Sequence, residues 1–426
     1  MNESERKQII ALVKREVIPA IGCTEPIAVA LAVAKASETL GRLPEKITVY
    51  LSANILKNAM GVGIPGTGMI GLPIAVALGA LIGKSEYQLE VLKDSTPQAV
   101  EQGKEMIAGK RINICLKDNI EEKLYIEAIC EAGDEKAVAT IAGGHTCFIY
   151  VAKNNEVLFS KCQSSKGECA GDDLVLNLRK VYDFATTAPL DEIRFILETA
   201  RLNKAAAESS FKGNYGHSLG KTMRGKYEKE IMGDCVFSHI LSYTSGACDA
   251  RMAGAMIPVM SNSGSGNQGI SATMPVLVYA EDTHKSEEEL IRALMLSHLT
   301  VIYIKQSLGR LSALCGCVVA ATGSSCGITY LMGGSYEQIC YAVKNMIGNI
   351  TGMICDGAKP SCAMKVTSGV STAVLSAMLA MEDKSVTSVE GIIDDDVDKC
   401  IRNLTLIGSK GMNETDKLVL EIMISK

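Results

Sequence analysis

Residues 111–153 contain four runs: RINICLKD (111–118), KLYIEAICEA (123–132), KAVATIAGG (136–144) and TCFIYVAK (146–153). Apolar and polar residues alternate along them, and β-branched side chains are common, which is the pattern of half-buried strands. Ala132-Gly133-Asp134 and Lys153-Asn154-Asn155 supply the turns that hairpins need. An antiparallel sheet is predicted there, and ITVYLS (47–52) reads as a further strand.

On either side the period changes. Residues 4–19 place Ile9, Ile10, Leu12, Val13 and Val17 on one side of an amphipathic helix. Thr24-Glu25-Pro26 reads as a helix start, with Thr24 as cap, Glu25 at the positive helix end and Pro26 in the first turn. That helix runs to about Gly41. SKCQSSKGECAG (160–171) reads as a polar linker. Beyond it the chain is mostly helical, over about 173–184, 189–208, 285–309, 336–350 and 365–382. The acidic stretch 383–397 is a connection before a last helix near 415–424. The expected class is α+β: a mostly helical part carrying the C-terminal cysteines, and an α/β part with an antiparallel sheet around residues 45–160. The expected divisions are 1–44 (helices packing with the catalytic domain), 45–165 and 166–426.

Composition narrows the function. Lys+Arg number 43 against 48 Asp+Glu, a net charge of −5, and there is no Trp. Neither a basic patch nor an aromatic stacking platform is indicated, so nucleic acid is not an expected partner. Hydrophobic residues make up 47%, enough for a large core. Three charge-free stretches, Met60–Gly83, Met252–Ala280 and Leu311–Gly334, are long enough for membrane spans. They are rich in Gly, Ser, Thr or Asn, Pro interrupts the first two, and no flanking Lys/Arg clusters accompany them. They read as buried core and site loops, and no membrane is expected. The N-terminus is charged and amphipathic, unlike a signal or transit peptide, so a cytoplasmic setting is expected.

In that setting disulfides are a poor explanation for 15 cysteines, an odd number. The remaining roles are small buried hydrophobes, reactive thiols and metal ligands. Cys355-Asp-Gly-Ala-Lys-Pro-Ser-Cys362 is a loop whose end thiolates can converge on one centre. A third ligand can come from Cys315-Gly-Cys317, with Cys326 close by. Thiolates suit zinc or iron–sulfur clusters, although paired CxxC knuckles and a ferredoxin run are both absent. Cys23 directly precedes a helix start, where a thiol's pKa falls, so it is a candidate base, nucleophile or ligand. His145 sits at a turn between two predicted strands and suits a substrate or proton-transfer contact.

The glycine motifs are weaker. Three GxGxxG matches, starting at Gly61, Gly66 and Gly264, lack the strand–turn–helix setting of a dinucleotide site. SNSGSGNQG (261–269) nevertheless offers hydroxyls, amides and a helix N-terminus that suit an amino-acid carboxylate; a tight turn between buried helices fits equally.

Taken in order, Ile21-Gly-Cys-Thr-Glu-Pro26, the 54–66 segment NILKNAMGVGIPG, Ala142-Gly-Gly-His-Thr146 and the Cys315/Cys355/Cys362 triple resemble the L-cysteine desulfidase family. That family is related to the iron–sulfur-dependent bacterial L-serine dehydratases, and the resemblance covers about residues 8–424. It implies a [4Fe–4S] cluster on Cys315, Cys355 and Cys362 with one iron open, Cys317 being the runner-up to Cys315. The 166–426 part is then the cluster-binding catalytic domain. The implied reaction is the β-elimination of L-cysteine to hydrogen sulfide, ammonia and pyruvate without pyridoxal phosphate. Cys23 is the candidate base, His145 an assistant, and Asn58, Thr67, Ser261, Asn262, Ser263 and Asn267 are candidate substrate contacts. The dehydratases' Ser-Ser-His-Thr run is replaced by Cys23-Thr24-Glu25, which favours the desulfidase branch over an L-serine/L-threonine dehydratase. A homodimer is expected.

Overall fold

The computed structural model describes residues 1–118, 120, 122–161, 174–309 and 311–426. Most of the expected linker 160–171 therefore lies outside the described residues. The strands are β1 (Pro19–Ile21), β2 (Lys46–Leu51), β3 (Ile112–Leu116), β4 (Tyr125–Ala132), β5 (Glu135–Ala142), β6 (Phe148–Lys153), β7 (Glu156–Ser160) and β8 (Pro258–Met260). Six of them form one sheet in the order β3-β2-β4-β5-β6-β7, and β1 pairs with β8. The class is α+β, as the periodicities indicate.

The antiparallel hairpins follow the predicted turns, with Ala132 opposite Glu135 and Lys153 opposite Glu156. One pairing departs from expectation: β2 and β3 are parallel, Ile47 facing Ile112. Parallel neighbours need a long crossover, and helices Leu72–Leu81 and Pro97–Ala108 lie within this one. Alternate residues of β2 and β4 (Ile47, Val49, Leu51; Ile126, Ala128, Cys130) are fully buried in the sheet core. The same core takes helix Thr24–Leu40, which is buried from Ile27 to Ala34 because the sheet covers one side and Leu72–Leu81 another.

A second core is helical. Gly266–Asp282, Glu287–Leu308 and Gly316–Leu331 pack on one another at its centre. Val236–Met252, Tyr336–Ile350 and Cys362–Met381 surround them, and Glu3–Glu16 adds Ile9, Leu12 and Val13. Glu287–Leu308 and Tyr336–Ile350 match the periodic stretches closely, while the 189–208 stretch is broken by a 3-10 turn at Arg194–Ile196. The charge-free stretches resolve into loops, β8 and the helices Leu72–Leu81, Gly266–Asp282 and Gly316–Leu331. Among the described residues one helix, Cys362–Met381, is long and apolar enough to cross a membrane. It buries Ala363, Val366, Val370, Ala373 and Ala377 on the helical core.

Two expectations about cysteines are corrected here. Cys147 is disulfide-bonded, so not every cysteine is a thiol. Cys23, not Thr24, is the N-cap residue of Thr24–Leu40, and its side chain makes no capping hydrogen bond.

Candidate functional site

Four helices begin around one cavity. Cys23 precedes Thr24–Leu40, Ser265 precedes Gly266–Asp282, Cys315 precedes Gly316–Leu331, and Cys362 is the first residue of Cys362–Met381. All four residues line the cavity, together with Glu25, Asn58, Arg251, Asn267, Gln268, Cys317, Cys355 and Lys365. Each helix N-terminus presents unpaired N–H groups and a partial positive charge. Their convergence makes the cavity a favourable place for thiolates and other anions.

Backbone pairing brings the cysteine segments together. The Cys315 N–H donates to the Met353 carbonyl at 2.9 Å, and the Cys355 N–H donates to the Ala313 carbonyl at 2.6 Å. The 355–361 segment is a loop, and it closes on Cys362, whose N–H donates to the Lys359 carbonyl at 2.9 Å. Among the described residues no three of these sulfurs lie within 4.8 Å of one another.

The thiols differ. The hydrogen bond with Cys317 holds Cys315 down at about 7, against the opposing effect of burial, with Lys365 and Lys359 adding to the lowering. Burial pushes Cys355 up to about 11 and raises Cys362 as well. The Cys317 sulfur is 3.4 Å from that of Cys315, 3.1 Å from Met353 Sδ and 3.4 Å from the Lys365 carbonyl, and it titrates well above the usual thiol value. Cys326 is fully buried within Gly316–Leu331, is pushed up to about 12 by burial, and does not line the cavity.

Cys23 does not show the lowered pKa its helix position suggests. Burial, then the neighbouring Glu25 carboxylate, raises it well above the usual thiol value, while Arg251 opposes them. Its Sγ donates to Glu25 Oε2 at 3.0 Å. Glu25 also accepts from Asn58 Nδ2 at 3.3 Å, and the Thr24 hydroxyl lies 2.9 Å from its Oε2. Cys23 is therefore a protonated thiol facing a buried carboxylate. Here desolvation and a like charge outweigh the helix end.

Of the predicted substrate contacts, Asn58 and Asn267 reach the cavity. Thr67, Ser261, Asn262 and Ser263 do not line it. Thr67 donates to the Ile64 carbonyl at 2.8 Å and Ser261 to the Ile18 carbonyl at 2.6 Å. Asn262 donates to His298 Nδ1 at 3.0 Å and accepts from the Ser263 hydroxyl at 2.8 Å. Ser261, Asn262 and Ser263 thereby fix the loop that presents Ser265, Asn267 and Gln268, while Thr67 bonds within its own loop. His145 is buried in the turn between β5 and β6 and does not line the cavity. Sequence reasoning missed Glu25 as a site group, named the 261–269 segment but not Gln268 within it, and missed Arg251 and Lys365 altogether. Glu25 carried a signal, being an acid beside a cap cysteine. Arg251 and Lys365 show none in their local sequence.

Residues 86–421 match the serine dehydratase alpha chain family. The chain is 79% identical over 426 residues to a UPF0597 protein of Bacteroides fragilis, covering 100% of both chains. It is 57% identical over 433 residues to a UPF0597 protein of Porphyromonas gingivalis, again covering 100% of both. A UPF0597 protein of Actinobacillus pleuropneumoniae serotype 3 is 46% identical over 426 residues, with 100% of this chain and 98% of that one covered.

Proposed function

The chain belongs to the serine dehydratase alpha-chain family, and from that premise we propose that it is an L-cysteine desulfidase. The reaction is L-cysteine plus water giving hydrogen sulfide, ammonia and pyruvate. The observation that carries the reading is the single cavity in which Cys315, Cys355 and Cys362 meet Cys23 and Glu25 at converging helix N-termini. Cys315, Cys355 and Cys362 would hold a [4Fe–4S] cluster. The donor set fits it: three cysteine sulfurs, soft ligands once deprotonated, line one cavity, with nearby Lys365 and Lys359 favouring negative charge on Cys315. When bound, a three-thiolate cluster supplies an iron with an open position as a Lewis acid.

The remaining work belongs to side chains. Cys23 and Glu25 share one proton across their 3.0 Å contact, and in the resting site it lies on the thiol; the pair together is the base that takes the α-proton of the substrate and returns a proton to the departing sulfide. Loss of sulfide leaves aminoacrylate, which hydrolyses to ammonia and pyruvate without further catalysis. Asn58 holds Glu25 in place and faces Cys355, with its Oδ1 3.9 Å from that sulfur. Asn267 contributes to substrate contact from the helix start. A homodimer in the cytoplasm completes the reading.

The decisive experiment is product analysis on anaerobically purified protein with iron and acid-labile sulfide counted. Sulfide, ammonia and pyruvate in equal amounts from L-cysteine, with L-serine inert, is the expected result. Faster pyruvate release from L-serine than from L-cysteine would make the protein a dehydratase instead.

A further inference from the structure

One wall of the cavity carries polar groups that the protein itself does not satisfy. Arg251, 3% exposed, donates from Nε to the Gly22 carbonyl at 3.1 Å and from Nη1 to Asn267 Oδ1 at 3.0 Å. Both acceptors are neutral, and among the described residues its guanidinium forms no ion pair. A buried charge without a counter-charge is costly. Gln268, also 3% exposed, keeps its Oε1 without a hydrogen-bond partner. Helix Gly266–Asp282 starts beside them with no side-chain cap, so its first N–H groups are not met by a side chain.

Two glycines make this arrangement possible. A Cβ at Gly266 would stand 2.2 Å from Arg251 Nε, so only glycine lets the guanidinium lie over the helix start. A Cβ at Gly316 would meet Gln268 Cγ at 3.1 Å, which explains a small residue between Cys315 and Cys317. The result is a planar cation, open N–H groups and a free carbonyl oxygen, all lining the thiol cavity.

We propose that Arg251 is the specificity-determining residue that receives the α-carboxylate of an amino-acid substrate, with Gln268 Oε1 receiving its ammonium group. The guanidinium fork matches a carboxylate, and the adjacent helix start adds to its pull on an anion. This rests on the reading of the cavity as an amino-acid site, but not on which β-substituent is expelled.

Binding tests it independently of turnover. Full-length protein purified anaerobically is titrated in a calorimeter with L-alanine, which has no β leaving group, and with ethylamine, which is L-alanine without its carboxylate. Wild type is expected to prefer L-alanine by at least about tenfold, as one charge-assisted hydrogen bond implies. Arg251→Gln is expected to abolish the preference. Arg251→Lys, which keeps charge and bulk but loses the fork, is expected to weaken it and guards against simple misfolding of the first variant. No preference in wild type, or a preference that survives both substitutions, overturns the proposal. Sulfide release from L-cysteine is measured alongside. Protein that binds L-alanine through Arg251 but releases no sulfide ends the desulfidase reading and leaves this one standing.

Discussion

Cys23 and Glu25 act on the same proton, so their substitutions should look alike. Cys23→Ser and Glu25→Gln are each expected to lower kcat by about 10²–10⁴, the usual worth of a positioned acid–base group, while iron content stays at the wild-type level. Cys315→Ser, Cys355→Ser and Cys362→Ser are expected to lose the iron itself. Iron and acid-labile sulfide counts beside kcat separate the two classes. A Cys23→Ser protein with full turnover would remove Cys23 from the mechanism. A second residue invites a pH test. Asp249 is 1% exposed, its Oδ2 accepts from the Gly220 N–H at 2.9 Å, and its Oδ1 has no hydrogen-bond partner. Burial raises it to about 6, while the Gly220 and Leu219 N–H groups and His217 pull the other way. A carboxyl raised in the folded state gives stability that is present below its ordinary value and lost as pH rises through about 6. Asp249→Asn should therefore gain on wild type in urea unfolding as pH climbs from 4 to 7; a constant difference would refute this.

At the scale of elements, the cysteine loop is braced from outside the cavity. Lys57, 1% exposed at its side chain, pairs with Asp416 of helix Asn413–Ile424 and donates to the Cys355 carbonyl at 3.3 Å. Asn54 donates to the same carboxylate. Removing one partner of a buried pair strands the other charge, which costs about 3–5 kcal/mol. Asp416→Ala should cost that much in denaturant unfolding and should also release iron faster, because Cys355 loses its brace. Lys57→Met with Asp416→Leu should recover most of the stability. Equal losses in the single and double variants would show that the stranded charge is not the cause. None of this bracing is legible in the sequence. Lys57 and Asp416 stand 359 positions apart, and nothing in the 54–66 segment that holds Lys57 points to Asp416. The thiols were legible because a Gly/Pro loop between two cysteines constrains its own ends. Arg251 was not, because it meets the thiols only where helix starts from distant segments converge.

Across the whole molecule, what could be read was periodicity. The half-buried strand β4 alternates, and the turns after β4 and β6 carry Gly, Asp and Asn, so the hairpins were legible. The parallel β2–β3 pair was not, since alternation reports a face and not a neighbour. Helix Val236–Met252 was missed because it is buried on nearly every side and has no polar face to set a period. Cys362–Met381 differs in this respect. Its inner face is packed, but Met364, Leu375, Met378 and Leu379 are 47–52% exposed. Their spacing sets them along one side of the helix. Exposed apolar rows of this kind mark contact sites on soluble domains. The same helix begins with Cys362, so a second copy laid over the row would also stiffen one wall of the thiol cavity. Light scattering of the full chain is expected to give twice the chain mass. Leu375→Asp with Leu379→Asp should yield a monomer that retains its far-UV circular dichroism but holds iron less tightly. A wild-type monomer, or a double variant that remains dimeric, would place the contact between copies elsewhere or remove it.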